Sequence, residues 1–208
     1  MNANLPRISD VDAVENARAL WPLTDINERE CMAKLAADVP SGGLIVEIGS
    51  LYGGMTAVLG LANPQAKIVS IDDYSWHPTG YLPTSKELLL ANMKSVNVKN
   101  VTAREGDSRA IGKTWKRKID LLWIDGGHSY DYVHADLENF GPHAQVIAVH
   151  DFKNPAWATI EKAINDFILD HPEWAISQVV GMVAVLRPLS PRPFPKSKTD
   201  LEKGSHKI

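Results

Sequence analysis

The spacing of hydrophobic positions changes partway along the chain. Between residues 11 and 38 it is helical: Val11, Val14, Ala17 and Trp21 recur three to four residues apart, with Leu20 beside them. Pro22 then interrupts, because it lacks an amide hydrogen and its ring crowds the preceding turn. Thr24 is the expected cap of a second helix, in which Cys31, Leu35 and Ala36 share a face before Pro40. From residue 44 onward, short unbroken apolar runs alternate with helical stretches. "LIVEIGS" (44–50), "KIVSIDD" (67–73), "NVTAREGDS" (100–108), "IDLLWIDGG" (119–127) and "QVIAVHDF" (145–152) read as strands. The first is a short apolar run that ends in glycine, as a buried parallel strand does. Residues 55–62, 85–96, 132–140 and 157–170 read as helices between and after them, with Ser85 an N-cap. "AISQVV" and "MVAVLR" form a closing hairpin about Gly181.

Strands separated by helices predict an α/β fold. The expected architecture is a doubly wound, Rossmann-like, mostly parallel seven-stranded sheet with a C-terminal antiparallel hairpin and helices on both faces. Residues 1–39 are expected to add N-terminal helices as a cap or dimer contact, and 40–187 to form the main domain. Residues 188–208, rich in Pro and Lys, are expected to be an extended tail.

Composition narrows the function classes. Hydrophobic residues at 44% are enough for a core, and a net charge of −3 provides no field for nucleic acid or an anionic membrane. A single cysteine, Cys31, excludes an internal disulfide framework and a thiolate zinc cluster, which fits a reducing cytoplasm. The first ten residues lack the apolar centre of a signal peptide, and no run reaches the ~18 residues of a membrane span. A cytoplasmic protein with a small-molecule partner is expected, as a possible homodimer.

Ligands of a doubly wound sheet bind beyond the carboxyl ends of its strands. An acid falls at or near each of those ends: Glu47, Asp72 with Asp73, Asp107, Asp125, and Asp151 after His150. "EIGSLYGG" (47–54) supplies Gly49 and Gly53 between a strand and a helix, but it does not match the G-x-G-x-x-G of nicotinamide enzymes. An acidic loop suits a ligand with an ammonium and no pyrophosphate, and Asp72 is placed to accept ribose hydroxyls. Trp76, His77 and Tyr81 stand in an aromatic loop that can cover an acceptor.

"VEIGSLYGGMTAVLG", "IVSIDDY", "REGDS", "LLWIDGGHSYDYVHADLENFGP" and "VIAVHDF" resemble, in order and spacing, the class I S-adenosylmethionine (SAM)-dependent methyltransferases. Within them the chain is similar to the small O-methyltransferase-like family of macrolide-sugar O-methyltransferases and cephalosporin-hydroxylase-like proteins. Catechol O-methyltransferases are more distant relatives. The similarity covers roughly residues 40 to 187, and D-G-x-H-x-Y followed by H-D is its most specific element. The resemblance implies that Glu47, Gly49, Ser50 and Gly53 line the methionine portion of SAM, that Asp72 holds the ribose, and that Asp107 and Ser108 border the adenine. It places Asp125 between the cofactor and a divalent metal, Mg²⁺ foremost, with Asp151 as a second ligand. Relatives often carry an acid where this chain has His150, so His150 stands as a third candidate ligand that instead binds a softer metal, orients Asp151 or marks a lost site. His128 is the candidate general base, with Asp125 beside it in catalysis. The expected reaction is metal-assisted O-methylation of a small molecule or sugar. The alternatives are a SAM-binding module without turnover and, more remotely, a nicotinamide-dependent oxidoreductase.

Overall fold

A computed structural model describes residues 23–77, Thr79 and residues 83–190. The helix expected before Pro22, Tyr81 of the aromatic loop and the chain beyond Ser190 lie outside the described residues.

The elements are α1 (Ile26–Ala37), β1 (Leu44–Ile48), α2 (Gly54–Ala62), β2 (Lys67–Asp72), α3 (Lys86–Ser95), β3 (Val101–Glu105), α4 (Ser108–Gly112), β4 (Leu121–Ile124), α5 (Tyr130–Phe140), β5 (Ile147–Val149), α6 (Ala158–Asp170), β6 (Trp174–Val180) and β7 (Val183–Pro188). The strands form one seven-stranded sheet in the order β3-β2-β1-β4-β5-β7-β6. Neighbours from β3 to β5 are parallel, and β7 runs antiparallel to both β5 and β6. The doubly wound sheet and its antiparallel hairpin are therefore as expected. β7 continues through Pro188, which pairs with Trp174, so the strand extends into what was expected to be tail.

Alternation along the strands divides the core into two layers. Ile45, Ile68, Ala103, Trp123, Ala148, Val183 and Val185 pack against α1, α2 and α3. Val46, Val69, Leu122, Ile124, Ile147, Ala184 and Leu186 face α4, α5 and α6. Every residue of α2 is buried, and α1 buries Cys31, Met32, Ala33, Leu35 and Ala36. Fully burying one Leu- or Met-sized side chain stabilises the fold by about 1.5–3 kcal/mol, so α1 is an integral part of the sheet's cover.

Local chemistry explains where the helices start. Ser85 Oγ accepts the Leu88 amide at 3.1 Å, the expected cap of α3. Asp25, not Thr24, caps α1; the Asp25 amide in turn donates to Glu28 Oε2 at 2.8 Å. Thr24 lies one residue too early for that role. Among the described residues no helix is long and apolar enough to cross a membrane.

Candidate active site

A cleft of about 750 Å³ opens across the carboxyl ends of β1, β2, β4 and β5. Its floor begins at the turn after β1. Gly49 has φ +88°, and a Cβ there would meet the Asp125 carbonyl oxygen at 2.1 Å. Only glycine allows the β1 and β4 exits to touch in this way. The Asp72 carboxylate ties the same turn down. Its Oδ2 accepts the Ser50 amide at 2.7 Å, the Leu51 amide at 3.0 Å and the Ser50 hydroxyl at 3.2 Å, while Oδ1 accepts the Tyr74 amide at 2.7 Å. Asp72 does line the cleft, but its first task is to shape the glycine loop.

Two expected cofactor residues stand away from the cleft. Strand alternation turns Glu47 toward α2, where its side chain is fully buried and its Oε2 accepts the Thr56 and Ser70 hydroxyls, both at 2.6 Å. Its Oε1 has no partner among the described residues. Burial, helped by repulsion from Asp72 and Asp125, outweighs those two bonds and pushes the Glu47 carboxyl up to about 7. Gly53 faces α3: a Cβ there would meet Met93 Cε at 2.5 Å and Leu89 Cδ1 at 2.6 Å, so this glycine serves helix packing. Its neighbour Gly54 is among the residues that border the cleft.

At the far end, Asp107 caps α4 through the Arg109 amide (2.8 Å) and binds the Arg109 guanidinium at 2.7 Å. The hydrogen bonds from Arg109 hold its carboxyl below the ordinary range. The guanidinium in turn lies 3.7 Å over the Tyr132 ring. Asp107 and Ser108 both line the cleft, with the Asp107 carboxylate paired to Arg109.

Asp125, His128 and Asp151 converge at the other end, with one ligand atom from each within 4.8 Å of the others. His128 Nε2 is 3.3 Å from Asp151 Oδ2, and its ring packs against Trp157 at 4.8 Å. Two carboxylates and an imidazole at this separation are a group that could hold a divalent cation.

His150 lies buried beside the two aspartates. It is 5% exposed; Nδ1 lies 3.1 Å from Asp125 Oδ1 and 3.5 Å from Asp151 Oδ2, while Nε2 lies 3.2 Å from Glu28 Oε2. Both ring nitrogens thus face carboxylates. Burial alone would lower its pKa, but the three carboxylates outweigh that and push it up to about 12. Of the three expected ligands, Asp125 and Asp151 converge with His128, while the buried His150 lies between them and Glu28.

Glu28, Tyr132, Asp136 and Trp157 did not emerge from the motifs. Glu28 is 1% exposed and also accepts the Met182 amide at 2.7 Å. Its signal was the D-x-x-E spacing of a capping box. Asp136 lies among Val133, Leu137 and Phe140 on the buried face of α5, where a carboxylate is an anomaly that helical phase alone reveals.

A parallel sheet closed by an antiparallel hairpin, with a cleft across its strand ends, defines the class I SAM-dependent methyltransferase fold. The family described as "Methyltransferase domain" matches residues 46–152, and the chain belongs to it. No curated protein sequence matches the chain. Among solved structures, it is similar to CalS11, a TDP-rhamnose 3'-O-methyltransferase of calicheamicin biosynthesis, at 26% identity and TM-score 0.57 over 89% of this chain and 88% of that one. The O-methyltransferase NovP shares the fold at 16% identity and TM-score 0.65, over 81% and 84% of the two chains. The SAH-bound Podospora anserina methyltransferase PaMTH1 does so at 16% and 0.62, over 91% of each.

Proposed function

We propose that the protein is a metal-assisted, SAM-dependent O-methyltransferase acting on a hydroxyl of a small molecule or sugar. The convergence of Asp125, His128 and Asp151 at one end of the cleft carries this reading. Bound SAM would supply an electrophilic methyl group for the acceptor oxygen, its S–C bond breaking to leave S-adenosylhomocysteine while the hydroxyl proton goes to a base. Gly49, Ser50 and Gly54 border the methionine end, Asp72 and Asp73 the middle, and Ser108 with Tyr132 the base. Asp125 and Asp151 would hold a divalent cation, Mg²⁺ foremost, which lowers the pKa of a bound hydroxyl.

His128 is the base. Asp151 Oδ2, facing Nε2, favours the tautomer with the proton there and leaves Nδ1 to take the acceptor's proton. Trp157, 43% exposed, restricts the ring on one side and Trp76, 61% exposed, borders the same cleft. Two such aromatic faces suit a sugar or planar ring. CalS11 being a sugar O-methyltransferase supports this acceptor class.

Calorimetric titration with SAM, with and without Mg²⁺, tests the reading, with NAD⁺ as control. SAM binding, with Mg²⁺ uptake that Asp125→Ala removes, is the expected result; absence of SAM binding at millimolar ligand refutes it. Once an acceptor is found, Asp125→Ala should abolish metal-dependent turnover. His128→Ala should slow turnover roughly 10²–10⁴-fold at neutral pH, the usual worth of a general base.

A further inference from the structure

Glu28 of α1 takes no part in the chemistry above, yet it lies one imidazole away from the two aspartates of the site. Both of its oxygens are held by backbone. Oε1 accepts the Met182 amide of the β6–β7 turn at 2.7 Å, and Oε2 accepts the Asp25 amide at 2.8 Å. Gly181 allows the first of these contacts, since a Cβ there would meet Glu28 Oε1 at 2.4 Å. Oε2 also faces His150 Nε2 at 3.2 Å. From the opposite edge of that ring, Nδ1 faces Asp125 Oδ1 at 3.1 Å and Asp151 Oδ2 at 3.5 Å. The surroundings hold the ring as well: it packs on Trp123 at 5.6 Å, and the His150 amide donates to the Ile124 carbonyl at 3.0 Å.

An imidazole with a carboxylate at each nitrogen donates from both. Its seat between them is then set by the end that is fixed most firmly. Glu28 is that end, because amides from two separate elements pin its two oxygens. Groups that hydrogen-bond a metal's ligands from behind are typically worth 10–100-fold in metal affinity. Charge acts in the same direction: an imidazolium beside two carboxylates opposes a second cation, and a carboxylate on its far side offsets that opposition. We propose that Glu28 is a positioning residue for the divalent cation, which through His150 orients Asp125 and Asp151 and keeps their charge available to the ion. The proposal rests on the metal-assisted reading, in which those two aspartates hold the cation.

Calorimetric titration of the full chain with Mg²⁺, without acceptor, tests it. Glu28→Gln keeps the size of the side chain and removes its charge, so it should bind Mg²⁺ at least ~10-fold more weakly than wild type. In a His150→Asn background the same substitution should change the affinity by less than about threefold, because the path from Glu28 to the aspartates is gone. A folded Glu28→Gln with wild-type Mg²⁺ affinity overturns the proposal, whatever happens to its thermal midpoint. An equal loss in both backgrounds also overturns it, since Glu28 then acts without His150. One further measurement needs no variant. In isotopically labelled wild type, NMR should find a proton on both His150 ring nitrogens, with and without saturating Mg²⁺. An unprotonated Nδ1 in the Mg²⁺-bound protein makes His150 a ligand and overturns the proposal, even if Glu28→Gln does not fold. Wild type that binds SAM but not Mg²⁺ removes metal assistance and this proposal together, while the methyltransferase reading stands.

Discussion

Glu47 carries a fully buried carboxylate with one oxygen bonded twice and the other not at all. Its pKa is raised from 4.5 to about 7, so the folded state holds a proton that the unfolded chain releases. The associated stability is fully present below pH 4.5 and is lost as pH rises through 7, roughly 3 kcal/mol in all. Asp136 and His150, also raised, act in the same direction. Urea unfolding of the cofactor-free protein should therefore show lower stability at pH 8 than at pH 5. Glu47→Gln, which cannot titrate, should reduce that difference; an equal drop in both proteins would dismiss the assignment. The position of Glu47 was plain in the motif, but its orientation was not. Alternation along β1 sends residue 47 to the α2 face, and the Thr56 and Ser70 hydroxyls that receive it lie 9 and 23 residues away.

At the scale of elements, the two strand exits that meet at Gly49 form a single unit. Gly49→Ala combines a left-handed backbone with a 2.1 Å clash against the Asp125 carbonyl, so either the β1 turn or the β4 exit must move. Left-handed strain alone costs of order 1–3 kcal/mol, and the clash adds to it. The variant should lose at least that in denaturant unfolding and bind SAM much more weakly. Retention of wild-type affinity would show that the touching backbones do not shape the cofactor site. Gly53→Ala is the informative neighbour, since its clash falls on Leu89 and Met93 of α3 rather than on the cleft. The central strands β1, β4 and β5 were legible because burial on both faces leaves continuous apolar runs. The short α4 and the three-residue helical turn at Pro155–Trp157 were not, being too brief for any periodicity to register.

Across the whole molecule, Glu28 joins α1, the hairpin turn and the ends of β4 and β5. Its carboxylate accepts the Asp25 and Met182 amides and faces His150, which faces Asp125. A Cβ at Gly181 would meet Glu28 Oε1 at 2.4 Å, so the turn is built to approach it. Glu28→Ala leaves a buried imidazolium facing lost charge and should destabilise the protein by about 3–5 kcal/mol. Thermal or urea unfolding measures this, and a loss below ~1 kcal/mol would mean the network carries little stability. No reading of motifs could find this link: 122 residues separate Glu28 from His150, and 154 separate it from Met182. The departure from a second acid at position 150 was visible, but its meaning depends on a partner from a distant helix.

The position of β7 has a consequence for the order of assembly. β5, which delivers His150 and Asp151 to the rim, has β4 on one side and β7 on the other. β7 follows every other strand in the chain and brings Met182 with it. During synthesis β5 therefore remains an open edge, and Glu28 lacks its Met182 partner, until the last strand arrives. Closing that gap is a contact of long sequence separation, of the kind that slows folding. The rim is thus completed only once the last strand of the sheet is in place, long after its glycine loop is translated.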